Sequence, residues 1–160
     1  MKITAKEKDS DTLYDTDFYQ WTQEQAKAIA AKDFENIDWK NLQEEIEALG
    51  RLEKREVKSL QRQLLIHLLL YQFWIFNRDY YTKSWAKEIL TFRIQLEDDL
   101  APKTLYNYFA SEANRTYKQA KKLVEQKYIE AGLESPVFPE QCPYTVEQLL
   151  DEEFLPEHKR

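Results

Sequence analysis

Glycine and cysteine are scarce in this chain, whose 160 residues include two glycines, five prolines and one cysteine. All-β proteins need many turns, and turns use glycine and proline, so this scarcity argues against an all-β fold. The single Cys142 excludes an internal disulfide and the multi-cysteine zinc modules, and it favours a reducing compartment. His67 and His158 are the only histidines, too few for a zinc site built on histidine.

Long apolar runs are also missing. The most apolar stretch, residues 64–76, contains His67 and Gln72 and is shorter than the roughly 20 apolar residues that a membrane span needs. The first residues are polar and charged, unlike a signal peptide. A net charge of −6 argues against general affinity for nucleic acid. We therefore expect a cytoplasmic protein that neither spans a membrane nor binds nucleic acid.

Signatures of catalysis are lacking as well. Two glycines cannot form a phosphate-binding loop, and no Gly-x-Ser-x-Gly motif is present. Glu44, Glu45 and Glu47 resemble metal carboxylates, but a di-iron bundle needs Glu-x-x-His pairs, which the chain lacks. We expect no cofactor and no metal, and we consider an enzyme the less favoured interpretation.

Apolar residues at spacings of three and four predict an all-α fold. The predicted helices cover residues 17–31, 38–49, 52–76, from Ser84 to about 100, 102–131 and 146–152. The helix over 52–76 is apolar nearly all round in its second half, so other helices must enclose it. Gly50 either ends the second helix or is a tolerated break inside a longer one, which we favour. Pro136, Pro139 and Pro143 predict an extended segment before the short last helix.

We thus predict an irregular bundle of about five helices around the central apolar helix. Its proline-rich C-terminal segment and its short last helix close the bundle. Residues 1–13 are predicted to form a flexible arm, residues 14–156 a single helical domain, and residues 157–160 a charged tail.

Three ionisable residues lie on helix faces that are otherwise apolar. Glu45 falls between Leu42 and Leu49, His67 shares the face of Leu60 and Tyr71, and Arg93 follows Phe92. Buried charges need partners, so Glu45, His67 and Arg93 could meet in the interior. The cluster fits an acid–base or ligand site in which Glu45 orients His67. It also fits a buried hydrogen-bond network that fixes helix register, and we favour that interpretation.

Several stretches resemble domain-of-unknown-function family 29. The matching motifs are Tyr14-Asp15-x-Asp17-Phe18-x-x-Trp21, Asp38-x-x-Asn41-Leu42-x-Glu44-Glu45-Ile46-Glu47-x-Leu49-Gly50, Leu64-Leu65-x-His67-Leu68-Leu69, Ser84-Trp85, Arg93, Phe138-Pro139-x-x-Cys142-Pro143-x-Thr145 and Leu149-Leu150-Asp151. Leu70 departs from the lysine that the family's pattern has there. The resemblance implies a bacterial protein, of a family common in cyanobacteria and without an established activity, and it supports interest in Glu45 and His67.

Three functions remain open from the sequence. We favour a non-enzymatic intracellular binding or regulatory module that acts through contacts with another protein. The first alternative is a small-ligand-binding protein or an enzyme that uses the Glu45, His67 and Arg93 cluster. The second is a structural subunit of a homo-oligomer.

Overall fold

The computed structural model describes residues 12–159, and within that range the chain forms helices and no strand. The elements are α1 (Leu13–Thr16), α2 (Phe18–Ala31), a 3-10 helix (Phe34–Asn36), α3 (Trp39–Phe73), α4 (Arg78–Asp99), α5 (Lys103–Glu130) and α6 (Val146–Leu150). The all-α prediction is confirmed. None of the helices in this range has the length and apolarity that crossing a membrane requires.

The chain divides into two compact units, the first ending at Arg51 and the second beginning at Leu52. The single domain over 14–156 stays a prediction. Residues 1–11 of the predicted arm lie outside the described residues. The arm's last two residues, Thr12 and Leu13, are part of a capped helix, because Thr12 and Asp15 form a capping box at the start of α1.

The third helix is continuous through Gly50. Glycine costs about 1 kcal/mol relative to alanine inside a helix, but the neighbouring glutamates, leucines and arginines all favour helix. The favoured interpretation of Gly50, as a residue inside a longer helix, is confirmed. The predicted second and third helices are therefore one element of 35 residues.

The core of the second unit forms around the C-terminal half of α3. Leu64, Leu65, Leu68 and Leu69 are completely buried, as predicted for a helix that is apolar nearly all round. The main buried contributions from the other helices are Ile89, Leu96, Phe109, Tyr117, Ala120, Val124, Tyr128 and Leu149. Burying each large apolar side chain stabilises the fold by roughly 1.5–3 kcal/mol.

The turn between α3 and α4 differs from the prediction. The third helix ends at Phe73, and the fourth begins at Arg78 instead of at Ser84. Asn77 lies between them in the left-handed region, with φ 46°, which asparagine tolerates better than most residues. The turn therefore needs neither glycine nor proline, and the sequence contained no strong signal for it.

The segment between α5 and α6 is extended, as its prolines predict. Gly132, with φ 68°, ends α5, and Leu133 N–H donates to Tyr128 O in the bond pattern that glycine-capped helix ends use. Phe138 and Tyr144 of this segment are buried in the core. A capping box starts α6, since Thr145 and Gln148 cap each other's backbone.

Candidate functional site

Arg93 is buried in the second unit and binds three backbone carbonyls. Its Nε donates to Leu149 O at 2.9 Å, Nη1 to Phe154 O at 2.7 Å and Nη2 to Gln148 O at 3.0 Å. Gln148 and Leu149 belong to the last turn of α6, whose carbonyls have no partner within the helix. The guanidinium of α4 thus caps α6 and fixes the residues that follow.

Burial lowers the pKa of Arg93, whereas the negative charges of Asp151 and Glu152 raise it. A guanidinium stays charged in proteins, so the C-terminal segment is held by a cation. Arg93 also lines a cleft of about 360 Å³ between α4 and the residues after α6, with Glu97, Tyr106 and Glu152. Because three of its five N–H groups already bind carbonyls, the geometry of Arg93 suits a structural clamp.

His67 is paired at both ring nitrogens. Its Nδ1 lies 2.7 Å from the carbonyl oxygen of Gln63, one turn earlier in α3. Its Nε2 lies 2.7 Å from a carboxylate oxygen of Glu88 in α4. A carbonyl only accepts, so Nδ1 carries a proton, and the bond to Glu88 forms when Nε2 carries one too. The pair therefore links α3 to α4.

An open cleft lies beside His67, with a volume of about 360 Å³. The side chains that line it come from α3, α4 and α5, and they are mostly apolar or neutral: Gln63, Ile66, His67, Leu70, Trp85, Leu123, Gln126, Lys127 and Glu130. The Phe92 ring lies 5.1 Å from the imidazole. His67 and Arg93 share no hydrogen-bond partner and line different clefts, so the second unit does not join them into one polar site.

Glu45 lies in the first unit and accepts a hydrogen bond from Tyr14. The hydroxyl of Tyr14 lies 2.5 Å from Oε1 of Glu45. This bond, together with partial burial and the nearby carboxylates, raises the pKa of Tyr14 to about 12. The Tyr14 ring meets Trp21 edge-on at 4.9 Å. The contacts place Glu45 in the packing between α1, α2 and α3.

A second polar knot of the first unit surrounds Asp38, the residue before α3. Its carboxylate accepts from Trp21 Nε1 at 3.2 Å and from Asn41 Nδ2 at 2.7 Å. Gln25 accepts the backbone N–H of Asp38 at 2.7 Å. Partial burial would raise the pKa of Asp38, but the hydrogen bonds from Asn41 and Trp21 outweigh it and lower the pKa. Asp38 Oδ1 also accepts the backbone N–H of Asn41 at 3.2 Å, so Asp38 is the N-cap of α3 and ties α2 to α3.

An apolar stripe runs along the first part of α3: Trp39, Leu42, Ile46 and Leu49. Their spacing of three, four and three places them on one helix face. Trp39 is 57% exposed, Ile46 61% and Leu49 64%. The sequence predicted this shared face, but an amphipathic face normally lies against a core. Here large apolar side chains face solvent on a regular helix.

Sequence reasoning missed the partners of the candidate residues. Glu88 and Tyr14 belong to helices whose neighbours periodicity alone cannot assign. Arg93 binds main-chain carbonyls, which carry no side-chain signal. Exposure of the α3 stripe was missed because spacing identifies a face without showing what covers it. Among residues 12–159, His, Cys, Asp and Glu form no group of three suited to a metal ion.

Comparison with protein families gives one match: the model described as "Domain of unknown function DUF29" matches residues 13–155. No curated protein matches the chain, and no solved structure matches it. The match spans nearly the whole sequence, in agreement with the resemblance seen in its motifs. The chain belongs to the family Domain of unknown function DUF29.

Proposed function

We propose that this protein is a non-enzymatic cytoplasmic binding module that contacts another protein through the α3 stripe. The observation that carries the proposal is the exposure of Trp39, Ile46 and Leu49. Contiguous apolar surface on a folded protein is costly in water and commonly marks a binding face. An amphipathic helix face of this kind packs along a groove or a second helix.

The contacts of the predicted cluster support a module over an enzyme. Glu45, His67 and Arg93 each have a partner that accounts for their position: Tyr14, Glu88 and the C-terminal carbonyls. Buried or half-buried polar groups need hydrogen-bond partners, and these bonds explain the three groups without a substrate. The lone Cys142 is compatible with a cytoplasmic location. A bacterial, cyanobacterial origin belongs to the same proposal.

The test is affinity capture from the protein's own cells with the full chain as bait. The double variant Ile46→Ser/Leu49→Ser removes the apolar side chains of the stripe, while Val137→Ser, at a residue 96% exposed in the second unit, is the matched control. We expect a protein that the wild type and Val137→Ser capture and that the double variant loses. Circular dichroism should show equal helicity in all three. An unchanged set of captured proteins with the double variant would contradict the proposal.

A further inference from the structure

The charge of the first unit indicates which kind of partner fits the α3 stripe. Residues 12–51 contain nine acidic and four basic residues, so they carry −5 of the chain's net charge of −6. In residues 52–160 the positive and negative charges almost cancel. Opposite charges across an interface speed encounter and exclude wrong partners, whereas like charges repel. The apolar stripe therefore lies in an acidic unit.

Two acidic residues flank the stripe itself. At about 100° per residue, Glu47 lies on one flank, and its side chain is 56% exposed with Arg51 3.5 Å away. Glu45 lies on the other flank, where its carboxylate accepts from Tyr14. Glu44 is exposed as well, but it lies on the opposite face of α3.

The stripe has the dimensions of a helix contact. Leu49 lies ten residues after Trp39, so the stripe is about 15 Å long along the helix axis at 1.5 Å per residue. A spacing of three and four is the seam along which two helices pack. At one end, Trp39 Nε1 donates to Phe34 O at 3.3 Å, so the indole is held in place before any partner arrives. A surface fixed in advance loses less conformational entropy on binding.

We propose that the α3 stripe binds a basic amphipathic helix of another protein. The partner helix supplies apolar residues at i, i+3 or i+4 and i+7, and lysine or arginine residues beside them that face Glu45 and Glu47. This inference rests on the proposed function and narrows it to one class of partner. A second copy of this chain fits poorly, because it would bring another −5 of charge against the same surface.

The experiment measures binding of labelled synthetic helical peptides to the full chain by fluorescence anisotropy. One peptide has leucines at the seam positions and lysines beside them, and the second replaces every lysine with glutamate. We expect the lysine peptide to bind at least tenfold more tightly, with an affinity that falls as salt rises. Ile46→Ser/Leu49→Ser should weaken binding at least tenfold. Glu47→Gln should reduce the preference for lysine, whereas Glu44→Gln, on the opposite face of α3, should leave it unchanged. Val137→Ser should bind like the wild type.

Three results would overturn the inference. Equal or tighter binding of the glutamate peptide at the stripe would contradict a basic partner but would leave the proposed binding function in place. Sedimentation showing a dimer that Ile46→Ser/Leu49→Ser disperses would assign the stripe to a second copy. Binding of neither peptide would also reject a basic helix, and the cell capture with the same double variant then shows separately whether the proposed function survives.

Discussion

His158 stacks on Tyr71, and its Nδ1 donates to the backbone carbonyl oxygen of Tyr71. The two ring centroids lie 4.5 Å apart and the hydrogen bond is 2.7 Å long. The next residue, Lys159, donates its N–H to Gln72 O at 2.8 Å. The last turn of α3 has carbonyls without helical partners, so residues of the predicted charged tail serve as its cap.

We expect removal of residues 157–160 to destabilise the second unit by about 1–2 kcal/mol. The hydrogen bonds from His158 to Tyr71 O, from Lys159 N–H to Gln72 O and from Arg78 to Lys159 O are lost, together with a ring contact. Urea denaturation measures the loss, and hydrogen exchange should speed up at the last turn of α3. The control is His158→Phe, which keeps the stacked ring without the Nδ1 bond and should lose less. If the truncated chain is as stable as the full chain, the tail does not cap α3.

Replacing Arg93 should lower the free energy of unfolding more than a substitution of any exposed residue. We expect Arg93→Met to lose about 3–5 kcal/mol, because removing the guanidinium leaves carbonyls of a buried site without a donor. Arg93→Lys should also be destabilising, since a single ammonium cannot reproduce the fork of an arginine. Thermal and urea denaturation measure both. Arg115→Lys is the control, because the Arg115 side chain is 70% exposed, and a change within about 0.5 kcal/mol is expected there.

The pair of His67 and Glu88 is suited to a double-mutant cycle. His67→Gln, Glu88→Gln and the double variant should give a coupling free energy of about 0.5–1 kcal/mol, modest because the Glu88 side chain is 47% exposed. Raising the salt concentration should reduce it. The same cycle between His67→Gln and Arg93→Lys should give additive effects within about 0.5 kcal/mol. Strong coupling in that second cycle would show that His67 and Arg93 act as one network after all.

The lowered pKa of Asp38 predicts that the folded protein loses stability in acid. The pKa of Asp38 in the folded chain lies below the ordinary value of an aspartate. Its contribution to stability is therefore present above that ordinary value and is lost as the pH falls through the folded pKa. Asp38→Asn should cost about 1–2 kcal/mol at pH 7, because its amide would face the donors of Trp21 and Asn41. The gap from the wild type should narrow between pH 5 and pH 3 by urea denaturation. The exposed Asp33→Asn is the control, and a gap that does not change with pH would contradict the assignment.

Periodicity predicted the elements whose faces differ clearly in polarity. The burial of Leu64, Leu65, Leu68 and Leu69 followed from a helix that is apolar nearly all round. The start of α4 could not be predicted, because asparagine adopts the left-handed conformation of Asn77 only at some positions, so its presence alone does not mark a turn. Spacing also placed Ile46 and Leu49 on one face, but burial depends on which elements pack against that face.

The polar groups of the candidate site could likewise be predicted only in part. The sequence singled out Arg93 because a charge stands beside an apolar face, and burial of Arg93 agrees with this reasoning. Its partners are main-chain oxygens more than 50 residues away in sequence. Only tertiary packing brings such atoms together, so no sequence motif predicts them. Glu88 is similar, since a glutamate on a helical surface is common and most have no partner.

The clamp at Arg93 has a consequence for how the chain is made. Its three carbonyl acceptors lie 55, 56 and 61 positions later in the sequence, so α4 is translated well before they exist. A polypeptide that stops short of Gln148 leaves the guanidinium with none of them. Desolvating an unmatched cation is unfavourable, so α4 cannot bury that face stably until Gln148 and the residues after it have been translated. We expect a polypeptide that ends before Gln148 to leave the face of α4 around Arg93 exposed to solvent.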